Sequence, residues 1–236
     1  MAIAFTNLGA SADPDINSSA DAASYSSVSW TPPASGLIFL FVYNRKVGGG
    51  DIPTVSGNGI TWVQIATILA DPHRLTLFGA NAAGSTAGQT TIDFGGVTQL
   101  GCIAMFAHAD GTDVVNGVAQ TFVQAPTGSG TGTSGSITLA GASGADNRPI
   151  AAFVHAANEA VTPRTGWTEF DEFTGVGPPR GADSQVRSDA FETTASASWA
   201  TSAAWVGIAA ELKAAGAAAA SLVVARDRRT RHLLVL

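Results

Sequence analysis

The chain has 236 residues, of which 45% are hydrophobic and only 13% charged, and its net charge is −6. An acidic chain this poor in charge is not built to neutralise a nucleic-acid backbone. Its single cysteine, Cys102, excludes an intrachain disulfide framework and a cysteine-based zinc site.

With so few charges, the surface must be made of Ser, Thr, Gly, Ala and Asn. That suits a β-protein packed against its neighbours in an assembly, and equally a secreted domain. The start, Met1–Thr6, has no basic segment and no apolar stretch of signal-peptide length. The longest strongly apolar run, Leu37–Tyr43, is far below the roughly 20 residues that span a bilayer. A soluble protein made in the cytoplasm, with no membrane segment, is expected.

Turn residues recur along the whole chain and separate short β-rich runs, the rhythm of a sandwich or barrel. Ile3–Phe5 and Val28–Trp30 alternate. Leu37–Tyr43 is apolar on both faces, which predicts a central strand buried on both sides. Ile60–Ile68, Leu75–Phe78, Thr90–Phe94, Cys102–Ala107 and Val118–Val123 follow as strands. Ile137–Leu139, Ile150–Val154, Trp167–Phe170, Val186–Phe191, Ala197–Trp199 and Trp205–Leu212 complete about a dozen, the count of an elaborated jelly roll. Phe39, Phe41, Trp62, Phe94, Ile103 and Trp199 are expected in the core.

Residues 126–135, Pro-Thr-Gly-Ser-Gly-Thr-Gly-Thr-Ser-Gly, are low in complexity and read as a long loop or a linker. Trp62 and Trp167 lie 105 residues apart, and the same offset relates Phe94 to Trp199, Ile103-Ala104 to Ile208-Ala209, Ala109 to Ala214 and Gly111 to Gly216. An internal repeat, giving two similar half-sandwiches, would account for this; the competing explanation is coincidence in an Ala/Gly-rich chain. The expected organisation is a body over 1–212, with candidate halves 1–125 and 136–212, followed by 213–236 as an Ala-rich linker and an arm.

The chain offers little that resembles chemistry. His73, His108, His155 and His232 are scattered, without metal-ligand spacing. His108-Ala109-Asp110 reads as a solvated strand end. Asp13-Pro14-Asp15-Ile16-Asn17 imitates the start of a calcium loop, but Ser18 and Ser24 stand where such a loop needs Gly and Glu, so a turn is expected. Glu159, Glu169, Asp171, Glu172 and Glu192 are carboxylates of glycosidase type only. Alternation puts Glu169 and Asp171 on one face and Glu172 on the other, along a solvated edge. No catalytic residue, metal site or cofactor is assigned. Trp30, Trp62, Trp167, Trp199 and Trp205 would form a sugar-stacking platform if exposed; in alternating strands they belong more often to the core.

The tail from Ser221 is the most unusual segment. Two apolar stretches flank a basic centre, giving the last 16 residues a net charge of +3 against −9 for the rest. An end reading Leu-Leu-Val-Leu would invite aggregation if left free. Leu222, Val224, Arg226, Arg228, Arg229, Arg231, Leu233, Leu234 and Leu236 are therefore the candidate partner-binding residues of an arm that adds strands to a neighbour. The alternatives are a hairpin packed on the chain's own sandwich, and a contact with anionic lipid or nucleic acid.

The order of punctuation has a familiar look. It runs Trp30-Thr31-Pro32-Pro33, then Gly36–Val42, Gly59-Ile60-Thr61-Trp62, Arg74–Phe78, Ala107-His108-Ala109-Asp110 and Gly166-Trp167-Thr168-Glu169. Over roughly residues 1–212 this resembles the β-sandwich virion proteins of tailed bacteriophages, which serve as head decoration, fibre or tail appendage modules. Similar domains occur in bacterial surface proteins. The resemblance implies a non-enzymatic structural protein of the virion. Its partners would be copies of itself, with a trimer among the arrangements, and other virion proteins. A carbohydrate-binding or adhesin module, with a host-surface glycan as ligand, is the alternative. Neither nucleic acid nor membrane is expected as a partner.

Overall fold

The computed structural model describes residues 2–8, 14–174 and 180–216. These residues form an all-β fold. The first nine strands are β1 (Ala4–Asn7), β2 (Ile16–Ala22), β3 (Ser24–Ser26), β4 (Leu37–Arg45), β5 (Thr54–Gly57), β6 (Trp62–Ala70), β7 (His73–Asn81), β8 (Thr90–Asp93) and β9 (Gln99–Asp110). A 3-10 turn, Val114–Asn116, and a four-residue helix α1, Val118–Thr121, lead to the rest. These are β10 (Phe122–Gln124), β11 (Thr127–Thr138), β12 (Arg148–His155), β13 (Thr162–Pro163), β14 (Thr168–Thr174), β15 (Gly181–Val186) and β16 (Thr194–Leu212).

Two large antiparallel sheets share one plan. The first runs β1-β9-β4-β7-β6, with β2 also paired to β9. The second runs β10-β16-β12-β15-β14, with β11 also paired to β16. The register corresponds as well as the order. Phe41 pairs with Met105 and Leu77, while Ile150 pairs with Ala210 and Val186. Tyr43 pairs with Ile103 and Leu75, while Ala152 pairs with Ile208 and Ser184. Ile103 and Ile208 thus hold the same place in their sheets. Trp62 and Trp167 do not: Trp62 pairs with Ala80 in β6, whereas Trp167 precedes β14.

The correspondence extends to the smaller layers. In the first set β3, β8 and β5 form a separate sheet in which Tyr25 and Val55 flank Ile92. In the second, Gly135 of β11 and Pro163 of β13 flank Ala197 of β16. The single strand β11 does the work of β2 and β3, and the 19-residue β16 that of β9 and β8.

The layers follow from alternation along each strand. Phe39, Phe41, Tyr43, Leu77 and Met105 face Ile150, Val154, Val206, Ile208 and Leu212 across a core shared by the two large sheets. On the other face of β4, Ile38, Leu40 and Val42 pack with Phe106 under Tyr25, Trp30, Ile92 and Phe94. Behind the second large sheet, Phe153 and Trp205 pack with Ile137, Trp167 and Trp199. The expected double burial of 37–43 is present, and Phe39, Phe41, Phe94, Ile103 and Trp199 are buried as expected. Trp62 is half-buried.

Several expected elements differ. Residues 127–135 are neither loop nor linker but most of β11, because Gly128, Gly130 and Gly135 seat the Trp205 ring. Val118–Thr121 is helical, and only Phe122–Gln124 is strand. The segment before β4 forms a strand at Ser24–Ser26, and Trp30 makes only an isolated bridge to Gly88. The strand expected over Val186–Phe191 lies N-terminal to it, at Gly181–Val186. Ala197–Trp199 and Trp205–Leu212 are two parts of β16.

Candidate assembly surface

The nine arm residues, Leu222, Val224, Arg226, Arg228, Arg229, Arg231, Leu233, Leu234 and Leu236, lie outside the described residues. Their root is within them. After β16, the backbone N–H of Lys213 donates to the Thr121 carbonyl (2.8 Å), and that of Ala215 to the Gly111 carbonyl (2.7 Å). The Ala214 N–H donates to Asn147 Oδ1 (3.0 Å), and Asn147 Nδ2 donates to the buried Glu211 carboxylate (2.6 Å). Lys213 Nζ pairs with Asp113 at 2.7 Å. That hydrogen bond, with a second from Asn116, holds the Asp113 carboxyl below its usual range. Residues 213–215 therefore belong to the body rather than to a free linker. The chain leaves at a fixed point between the two strand sets, beside a pocket of about 280 Å³ lined by residues 143–147 and 213–216.

The sheet edges are unequal. β14 carries Glu169, Asp171 and Glu172, and charges on an edge strand discourage pairing with another chain. β6 and β11 carry no charged residue and no proline. Among the described residues β6 pairs only with β7, and β11 only with β16. The large sheets pack so that β6 lies against β11 and β16, and β14 against β9. Phe170 meets Phe5 edge to face, and Asn7 Nδ2 donates to the Phe170 carbonyl. One flank of the molecule thus presents two uncharged edges, and the opposite flank an acidic one. The uncharged edges differ in turn. The exposed side chains of β11 are mainly hydroxyls, whereas β6 leaves Val63, Ile65 and Ile68 half-buried and Leu69 exposed. At the start of β6 a pocket of about 330 Å³ is lined by Ile60, Val63, Ala83, Val118 and Asn81, with Gly59 and Thr61.

The aromatic platform does not form. Trp30, Trp167, Trp199 and Trp205 are buried, as are Tyr25 and Tyr43. Trp199 stacks on His155 at 4.5 Å and donates from Nε1 to the Gly132 carbonyl at 2.9 Å. A groove of about 520 Å³ between β11 and β13 is lined mostly by hydroxyls, among them Ser134, Ser136, Thr162 and Ser196. Arg164 at its rim is held by Glu192 (2.8 Å).

The carboxylates of β14 are split otherwise than alternation implies. A bulge between Glu169 and Asp171 shifts the register. Glu169 stands opposite Gln185 and Glu172 opposite Asp183, on the outer face. Asp171 turns inward and accepts from Ser184 Oγ (3.1 Å). Sequence reasoning missed the group beneath this edge. Asp183 is fully buried and accepts the Phe153 N–H (3.1 Å), while its other oxygen has no hydrogen-bond partner among the described residues. Burial pushes its carboxyl well above the usual range, and the nearby Glu169 and Glu172 add to the effect. Gln185 beside it is also fully buried, with neither amide atom bonded among the described residues. The only sequence signal was a polar run, Asp183-Ser184-Gln185, inside a strand.

The remaining sequence candidates are placed as structural groups. His108 is buried rather than solvated, with Nε2 2.8 Å from the Ser35 carbonyl. Burial pushes the His73 imidazole down to about 4, and its Nδ1 lies 2.7 Å from Tyr43 Oη. Burial pushes the Cys102 thiol up to about 12. Asp15 accepts the Phe106 N–H (2.7 Å); Asp13 lies outside the described residues. Glu159 accepts from Thr201 Oγ1 and from the N–H groups of Ala200 and Thr201, and the Thr201 hydroxyl foremost holds its carboxyl low. Among the described residues, no group of three or more His, Cys, Asp or Glu is placed to hold a metal ion, and no helix is long and apolar enough to cross a membrane. Compared with known family models, curated proteins and solved structures, the chain matches none.

Proposed function

We propose that the protein is a non-enzymatic structural component of a tailed-phage virion, made in the host cytoplasm and incorporated through contacts between copies and with other virion proteins. Each strand set is read as a jelly-roll-like sandwich, a reading supported by the order β2-β9-β4-β7 opposite β3-β8-β5. The observation that carries the proposal is the unequal pair of flanks. A free-standing secreted domain has reason to protect every long edge, whereas β6 and β11 stand without a charge or a proline. The arm from Ser221 supplies apolar segments for strand addition and a basic centre for a net-negative partner surface. The glycan-binding alternative loses its main support, because the tryptophans that would stack on a sugar are in the cores, Trp62 excepted.

The test is density-gradient purification of phage particles from a host carrying the gene, followed by quantitative mass spectrometry. The expected result is co-migration at a fixed, multiple copy number per particle. Recovery of the protein only in the particle-free fractions would overturn the proposal.

A further inference from the structure

We infer that the outer edge of β6 and the pocket at its head are the seat of the arm's first apolar segment, Leu222–Ala225 of the same chain. This rests on reading residues 221–236 as a strand-forming arm, but not on the virion assignment; with β6 covered by its own chain, β11 is the uncharged edge left to a neighbour.

The edge has the properties of an acceptor strand. β6 is nine residues long, uncharged and free of proline, and among the described residues its outer side has no partner strand. Its side chains are under-covered: Ile65 and Ile68 only half enter the shared core, and Leu69 is 44% exposed. An added strand would complete both the hydrogen-bond ladder and the apolar cover. The hydroxyl-rich edge of β11 does not ask for an apolar strand.

The end of the described chain lies close to this edge. Lys213 is bonded to Thr121, the last residue of α1, and Val118, the first residue of that helix, forms one wall of the pocket. The pocket's head strand lies on the same side. Trp62, Ala80, Ile38 and His108 form one row across the sheet, and Gly111, three residues beyond His108, accepts the Ala215 N–H. Three strand spacings and three residues of rise amount to roughly 17 Å. The seven residues from Ala215 to Leu222 reach about 23 Å when extended. The segment therefore arrives at β6 without a neighbouring copy, and a short tether gives it a high effective concentration there. Leu222 and Val224 fall on one face of an extended segment, so one of them meets Ile60, Val63, Ala83 and Val118 while the backbone pairs along β6.

Amide hydrogen exchange read by mass spectrometry tests this. Three chains are compared at a concentration where light scattering shows monomer: the full chain, a chain ending at Arg226 and a chain ending at Gly216. Peptides from β6 should exchange at least ten-fold faster in the chain ending at Gly216, and at the full-length rate in the chain ending at Arg226. Peptides from β4 should be equally protected in all three, which shows that the body stays folded. The full-length variant Leu222→Asp/Val224→Asp should release β6 alone. Unchanged β6 exchange on removal of residues 217–236 would overturn the inference. So would protection that vanishes on dilution to monomer, since the segment would then come from a second copy. Loss of β6 protection with normal particle incorporation would separate this contact from the function proposed above.

Discussion

Gly130 of β11 faces Trp205 of β16 across the strand pair, and a Cβ at Gly130 would stand 3.0 Å from the indole Nε1. The same indole lies over Gly128 and, beyond the register shift between Gly132 and Ser134, over Gly135. The glycines are thus not slack in the chain but the floor on which an aromatic ring rests, an arrangement that rescues a glycine-rich edge strand.

Gly135 is the tightest of the three. A Cβ there would lie 2.9 Å from both Phe153 Cδ1 and Trp205 Cε3. Gly135→Val should therefore destabilise the protein by about 1–3 kcal/mol, the usual cost of overpacking. Chemical denaturation should show a lower midpoint with an unchanged slope. A midpoint equal to wild type would mean that the ring moves aside freely.

A second expectation concerns β4, whose two faces serve two cores. Phe41 is fully buried in the core shared by the two large sheets. Phe41→Ala should cost about 3–5 kcal/mol. Because both strand sets rest on this core, probes in each, such as Trp30 and Trp205 fluorescence in single-tryptophan variants, should unfold at the same lowered midpoint. Unchanged melting would contradict the central position of β4.

Asp183 sets a pH dependence. An aspartate in the unfolded chain ionises near 3.9, whereas burial raises this carboxyl well above the usual carboxylate range. Its contribution to stability is fully present below about pH 4 and is lost as pH rises through the folded value. The facing charges, Glu169 and Glu172, push in the same direction. Asp183→Asn should therefore be more stable than wild type at pH 7, and the difference should shrink to nothing as pH falls below about 4. Thermal melts across that range decide it; a difference independent of pH would contradict the assignment.

Much of the fold was legible because its largest strands are strongly patterned. Leu37–Tyr43 is apolar at every position, which only a strand covered on both faces requires. The sequence offset linking Ile103 to Ile208 also corresponds to a shared place in the two sheets. β11 was missed because glycine and hydroxyl residues read as loop, although Gly128-Ser129-Gly130-Thr131-Gly132 alternates with the period of a strand. The partner that makes sense of it, Trp205, is distant in sequence. The carboxylates of β14 were misassigned because one bulged residue inverts the faces, and a bulge leaves no clear mark in Glu169-Phe170-Asp171-Glu172. The acceptor edge at β6 was invisible, since only the sheet order shows which strand is last.

The most direct test of assembly through the arm compares the full chain with a chain ending at Arg226, by sedimentation velocity over a range of concentrations. The shortened chain keeps Leu222–Ala225 to cover β6 and loses the terminal apolar segment that would reach a neighbour. The expected result is a discrete oligomer for the full chain and a folded monomer for the shortened one, with added salt weakening the full-length assembly only in part, since exposed ion pairs contribute about 0–1 kcal/mol each. A full chain that stays monomeric at high concentration, or a shortened chain that assembles equally well, would contradict assembly through the arm.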